Sequence, residues 1–148
     1  MRYSAKLVKN VFKVINMKKL VGATMVDPPK RRRLISRQLS QTDIPQKIAE
    51  IDGHQLITLF PGHPTRRHVF YLHGGGYALE ASPFHKEIQE RFVKRYNLKV
   101  SYFDYPLAPE NTAEKTVPLT ELAFRQLAYL YPDDCFFLFG DSAGGGLA

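Results

Sequence analysis

From residue 46 onward the apolar positions fall into short blocks divided by turn residues. Ile48 to Ile51 and Gln55 to Phe60 flank Asp52-Gly53-His54. An Asp-Gly pair between two apolar runs predicts a β-hairpin, because glycine tolerates the positive φ of the tight turn. Pro61 to Pro64 reads as a loop. His68 to Leu72 is a short, nearly continuous apolar run, the pattern of a buried strand. Ser82-Pro83 then supplies an N-cap and a first helical residue, and Phe84, Ile88, Phe92 and Tyr96 recur every fourth position, giving one helix face, with Asn97 as a left-handed stop. Lys99 to Phe103 predicts the next strand. Leu119, Leu122, Ala123, Leu127 and Leu130 mark a second helix closed by Tyr131-Pro132, and Cys135 to Phe139 reads as a third buried strand. Hairpin followed by strand–helix–strand–helix–strand predicts an α/β fold with a largely parallel sheet.

The first 45 residues differ in texture. Leu7, Val8, Val11, Val14 and Ile15 follow helical spacing, so residues 4–21 read as an amphipathic helix ending near Gly22. Lys9, Lys13, Lys18 and Lys19 interrupt every apolar stretch, leaving neither a signal-peptide core nor a membrane span. The apolar stripe either packs on the body, the favoured reading, or binds an anionic membrane or a partner. Lys30 to Arg33 is read as a solvated basic loop rather than a nucleic-acid site, since no RNA-binding, zinc-finger or helix-turn-helix signature accompanies it. The expected division is an N-terminal helical segment with a basic linker over 1–45 and one α/β unit over 46–148.

Composition refines this picture. A chain of 148 residues with 44% hydrophobic residues holds one packed core and is not disordered. Its single cysteine excludes an internal disulfide framework, and the chain is expected to be cytoplasmic. The net charge of +7 divides unevenly, with +10 over residues 1–40 and −3 over 41–148. No nucleic-acid partner is therefore expected for the body.

Two motifs carry chemistry. Gly140-Asp141-Ser142-Ala143-Gly144 fits G-x-S-x-G directly after an apolar strand, the context of a strained nucleophilic serine turn. His73-Gly74-Gly75-Gly76-Tyr77 follows the earlier strand. Its glycines leave backbone amides open to an oxyanion, and the spacing fits neither a dinucleotide nor a phosphate loop. Cys135 is expected to be an inert core thiol, and His85, early on its helix, to be solvated. Asp104 and Asp141 are expected to hold backbone geometry rather than take protons.

HGGGY, DYPLAPE and GDSAGG, in that order over about residues 46–148, resemble the α/β-hydrolase esterases and lipases related to mammalian hormone-sensitive lipase. The resemblance implies an α/β-hydrolase fold, a helical cap over the site from the segment 1–45, and carboxylic ester hydrolysis through an acyl-serine intermediate. Ser142 matches the nucleophile. Gly75, Gly76 and Ala143 match the oxyanion donors, and His73 and Gly74 support the loop. A small-molecule ester, short in its acyl chain, is the implied substrate, with no cofactor, no metal and no stable membrane insertion. Pro106 stands where the family often has Arg, and Thr112-Ala113-Glu114 where it has Phe-Pro-Ala.

The triad of this fold runs Ser, then Asp or Glu, then His. Only six residues follow Ser142, none of them acidic or His, and all five histidines precede it. The resemblance therefore implies the N-terminal part of an esterase, ending just past its nucleophile turn and inactive without the missing Asp and His. The alternative is a non-catalytic homologue that binds a small ligand, as plant gibberellin receptors do.

Overall fold

A computed structural model of the protein describes residues 42–148. The expected helix over 4–21, the basic run at 30–33 and nearly all of the segment 1–45 lie outside the described residues. The elements are β1 (Gln46–Ile51), β2 (His54–Leu59), β3 (Arg67–Leu72), α1 (Pro83–Tyr96), β4 (Lys99–Phe103), α2 (Ala113–Leu130), β5 (Cys135–Gly140) and α3 (Ala143–Leu147). Five strands form one sheet in the order β1-β2-β4-β3-β5. β1 and β2 are an antiparallel hairpin turned at Asp52 (φ 50°) and Gly53 (φ 78°), as the Asp-Gly pair predicts. β2 runs antiparallel to β4, and β4, β3 and β5 are parallel.

Alternation along the strands builds two apolar layers. Phe70, Leu72, Leu56 and Phe103 point to one face and pack with Ala123 and Leu127 of α2. Val69, Tyr71, Ile57 and Val100 point to the other and pack with Val93 of α1. Burial on both faces explains why β3 reads as a nearly continuous apolar run.

The face that α1 buries differs from the one its four-residue spacing marks. On α1 the buried positions are His85, Gln89 and Val93, while Phe84 and Tyr96 are exposed. A four-residue step advances about 40° around a helix of 3.6 residues per turn, so Phe84 and Tyr96 cannot share one face. On α2 the buried positions are Thr116, Thr120, Ala123 and Leu127, while Leu122 and Leu130 are exposed. Hydroxyls tolerate this burial because each has an acceptor: Thr116 Oγ1 donates to the Pro106 carbonyl at 2.8 Å and Thr120 Oγ1 to the Thr116 carbonyl at 2.8 Å.

β5 is not buried as expected. It pairs with β3 on one side and with no described strand on the other, so Phe137, Leu138 and Phe139 are 49%, 51% and 40% exposed. Cys135, read as an inert core thiol, is exposed at the start of this edge strand. His85, expected in solvent, is buried.

Candidate active site

β3 and β5 are neighbours, and their last residues, Leu72 and Gly140, lie opposite each other in register. The two motifs therefore leave the sheet side by side at the carboxyl ends of adjacent parallel strands. This edge is where open α/β sheets bind ligands.

The chain turns abruptly after β5. Ser142 has φ 49° and ψ −118°, a conformation L-residues rarely adopt, and its side chain is exposed. The turn is tight enough to demand glycine on both sides. A Cβ at Gly140 would lie 2.2 Å from the Gly144 carbonyl oxygen, and a Cβ at Gly144 would lie 1.9 Å from that of Leu72. The G-x-S-x-G spacing is thus a packing requirement of a strand-to-helix reversal pressed against β3.

The loop after β3 is equally constrained. Gly75 (φ 138°), Gly76 (φ 61°) and Tyr77 (φ 59°) all have positive φ. The amides of Ala78 and Leu79 both donate to the Gly75 carbonyl, at 3.2 and 3.0 Å. Among the described residues, the amides of Gly75, Gly76 and Ala143 donate to no backbone carbonyl. His73 is fully buried and stacks on Tyr105 with ring centroids 4.5 Å apart. Its Nδ1–H donates to the Gly74 carbonyl at 2.7 Å, which leaves Nε2 a bare acceptor with no partner among the described residues. Burial holds the His73 pKa down to about 4, so the ring is neutral at physiological pH.

The segment DYPLAPE braces this loop. The Tyr105 hydroxyl donates to the His73 carbonyl at 2.6 Å, and the Ala108 amide donates to the Tyr77 carbonyl at 2.8 Å. At Asp104 the backbone makes the bracing contacts: its amide donates to the Gln55 carbonyl and its carbonyl accepts from His54 Nδ1, each at 2.9 Å. Pro106 is buried, and Thr112, Ala113 and Glu114 serve as N-cap and first turn of α2.

Asp141 joins the two motifs. Its Oδ1 accepts from the Tyr71 hydroxyl at 2.8 Å and from the Gly74 amide at 3.1 Å, and its Oδ2 faces His85 Nε2 at 3.2 Å. Burial pushes this carboxyl up, but the Tyr71 hydroxyl, the neighbouring His85 and the Gly74 amide together outweigh it and hold it below its ordinary range. Burial, and after it the same hydrogen bond, drive the Tyr71 hydroxyl well above the usual phenol range. Asp141 thus holds backbone geometry as its place in the motif suggests. The His85 contact was not legible, because only the tertiary fold brings the first turn of α1 to the turn after β5.

No described histidine is arranged to serve Ser142. His54 binds the Asp104 carbonyl, His73 the Gly74 carbonyl, and His85 Ser82 and Asp141. His63 is exposed between β2 and β3, at the opposite edge of the sheet. His68 makes an arrangement that imitates a triad. Its Nδ1–H donates to Asp134 Oδ2 at 2.9 Å, its Nε2 accepts from Ser101 Oγ at 2.8 Å, and Ser101 accepts in turn from Thr58 at 2.6 Å. His68 and Ser101 are both 0% exposed, so no substrate reaches them. Burial lowers the His68 pKa to about 4, and the chain of hydrogen bonds satisfies polar groups inside the core.

The larger cavity described, about 350 Å³, opens elsewhere. It lies between α1 and the hairpin and is lined by Ile48, Ile57, Ala81, Gln89 and Tyr102 among others, with neither Ser142 nor a loop glycine. Ser142 and the glycine loop lie instead at the carboxyl ends of β5 and β3. Among the described residues no group of three His, Cys, Asp or Glu side chains is placed to hold a metal ion, and no helix is long and apolar enough to cross a membrane.

Comparison with known proteins agrees with this geometry. A family model described as alpha/beta hydrolase fold matches residues 69–148, and the chain belongs to that family. Within it the likeness runs to esterases and lipases. The chain is 34% identical to the esterase LipU of Mycobacterium tuberculosis over 91 residues, covering 61% of this chain and 31% of that protein. It is 34% identical to a triacylglycerol lipase of the same organism over 117 residues, covering 78% of this chain and 26% of that one. An esterase of the bacterial hormone-sensitive lipase family superposes with a TM-score of 0.67 at 31% identity, covering 99% of this chain and 50% of that one. A hormone-sensitive lipase homologue from a metagenome library gives 0.64 at 25% identity, covering 89% of this chain and 47% of that one. The chain thus spans about half the length of these solved structures and under a third of these curated relatives.

Proposed function

We propose that the chain is the N-terminal part of a serine carboxylic ester hydrolase, with residues 46–148 forming the first half of its hydrolase domain and residues 1–45 a cap segment. The observation that carries this reading is the level ending of β3 and β5, which brings Ser142 beside a glycine loop with unspent amides. Ser142 Oγ attacks the acyl carbon, and the amides of Gly75, Gly76 and Ala143 hold the oxyanion, with His73 and Gly74 shaping the loop. The substrate is a small ester, short in its acyl chain. Acylation needs a base to take the Ser142 proton and an acid to return it to the leaving alcohol. The five histidines supply neither, so Asp and His from beyond residue 148 complete the site and the 148-residue chain alone is inactive.

The strained backbone at Ser142 favours catalysis over simple ligand binding, which has no use for such strain. The test is labelling of the full-length protein with a fluorophosphonate. Covalent labelling abolished by Ser142→Ala supports the reading, and a folded full-length protein that never labels refutes it.

A further inference from the structure

His85 lies 57 residues from Ser142 in the chain and meets it through a single side chain. Asp141 stands one residue before the serine and directs both carboxylate oxygens toward the oxyanion loop and its flank. Oδ1 takes the Gly74 amide at 3.1 Å, where the loop begins. Oδ2 takes His85 Nε2 at 3.2 Å, in the first turn of α1, where the chain leaves the loop. Gly75 and Gly76 lie between these two attachments. Gly74 has no room to drift: a Cβ there would lie 2.2 Å from Asp141 Oδ2.

The donor role of His85 is set by its other nitrogen. Nδ1 accepts the Ser82 backbone N–H at 2.8 Å and sits 2.9 Å from Ser82 Oγ, so it carries no proton and Nε2–H points at Asp141. Ser82 is the N-cap of α1 and His85 its N3 residue. Capping alone requires only an acceptor at N3, which Glu supplies best. A glutamate at 85 would face the Asp141 carboxylate. Only a side chain that accepts at one end and donates at the other serves both contacts.

The geometry points to His85 as a positioning residue that, through Asp141, fixes the oxyanion loop against the nucleophile turn. Its catalytic consequence rests on the hydrolase reading above, whereas the tether itself does not.

The test compares the full-length protein with His85→Gln, which retains an acceptor and a donor, and His85→Glu, which retains only the cap. Hydrogen exchange of the Gly74, Ala78 and Leu79 amides, the hydrogen-bonded ones of this loop, and the fluorophosphonate labelling rate are both measured. In His85→Glu, exchange of these three amides rises about tenfold or more, as loss of a charge-assisted hydrogen bond implies. Protection of β3 and β4 is retained, labelling slows in parallel, and His85→Gln restores both toward the parent. Parent-like exchange and labelling in His85→Glu would mean that capping is the whole role, and would overturn the tether. A parent that never labels sinks the hydrolase reading and leaves the exchange comparison to decide this one. Should His85→Glu fail to fold, nitrogen-15 spectra of the unaltered protein decide: a proton on Nε2 supports the tether, and a proton on Nδ1 refutes it.

Discussion

Tyr105 both stacks on His73, ring centroids 4.5 Å apart, and donates its hydroxyl to the His73 carbonyl at 2.6 Å. Both side chains are buried, so neither water nor another side chain replaces the bond when it is lost. Tyr105→Phe keeps the stack and leaves a buried carbonyl without its donor. The expected cost is about 1–3 kcal/mol of folding stability. Chemical denaturation of the full-length protein checks this, and a midpoint equal to the parent's would refute it.

Gly144 tests the turn itself. Its Cβ in Gly144→Ala would lie 1.9 Å from the Leu72 carbonyl oxygen and 2.7 Å from that of His73. Both obstacles are backbone atoms of β3, which cannot rotate aside as a side chain would. Gly145→Ala is the control at the adjacent position, since its Cβ meets nothing closer than 3.3 Å. Overpacking of a rigid site costs about 1–3 kcal/mol or more, so Gly144→Ala is expected to melt markedly lower and to lose fluorophosphonate labelling. Gly145→Ala stays near the parent in stability. Equal stability for the two variants would contradict the packing account of the motif.

These two tests separate what periodicity reveals from what packing alone decides. The strand β4, the Asp-Gly hairpin, the Ser82 cap and the Asn97 stop were all legible, because each rests on local backbone preference. The buried face of α1 was not legible, because two of its three buried residues, His85 and Gln89, are polar and apolar spacing does not mark them. Burial of a polar residue depends on a partner supplied by another element. His85 finds Asp141 and Thr116 finds the Pro106 carbonyl, contacts that no window of sequence contains. The exposure of Cys135 follows from pairing at the sheet edge, which apolar content cannot show.

Buried neutral histidines impose a pH dependence. His68 and His73 are each held down to about 4, against an ordinary value of about 6.5 in an unfolded chain. Between these values the unfolded chain binds more protons than the folded one, so stability is full above about pH 6.5 and falls as the pH drops toward 4. The slope is about 1.4 kcal/mol per pH unit for each proton of difference, so two histidines approach about 2.7. Asp141, held below the ordinary carboxylate range, adds a loss of the same sign at lower pH still. Denaturation midpoints of the full-length protein at pH 7, 6 and 5 should fall in that order. A midpoint constant from pH 7 to 5 would show that the two imidazoles are not buried as described.

The β5 edge determines how the 148-residue polypeptide behaves when expressed by itself. Phe137, Leu138 and Phe139 are exposed on a strand whose outer edge pairs with no described residue and whose run from Cys135 to Gly140 carries no charge. Such an edge offers both unpaired backbone groups and apolar surface to another copy. This polypeptide is therefore expected to bind an apolar dye and to associate with rising concentration. Phe137→Lys places a charge on the exposed strand, where natural sheets use lysine to block edge pairing. It is expected to shift the sedimentation profile toward monomer without restoring esterase activity, since it supplies no base for Ser142. A parent chain that sediments as a monomer, binds no dye and melts in one sharp transition would contradict this account of the edge.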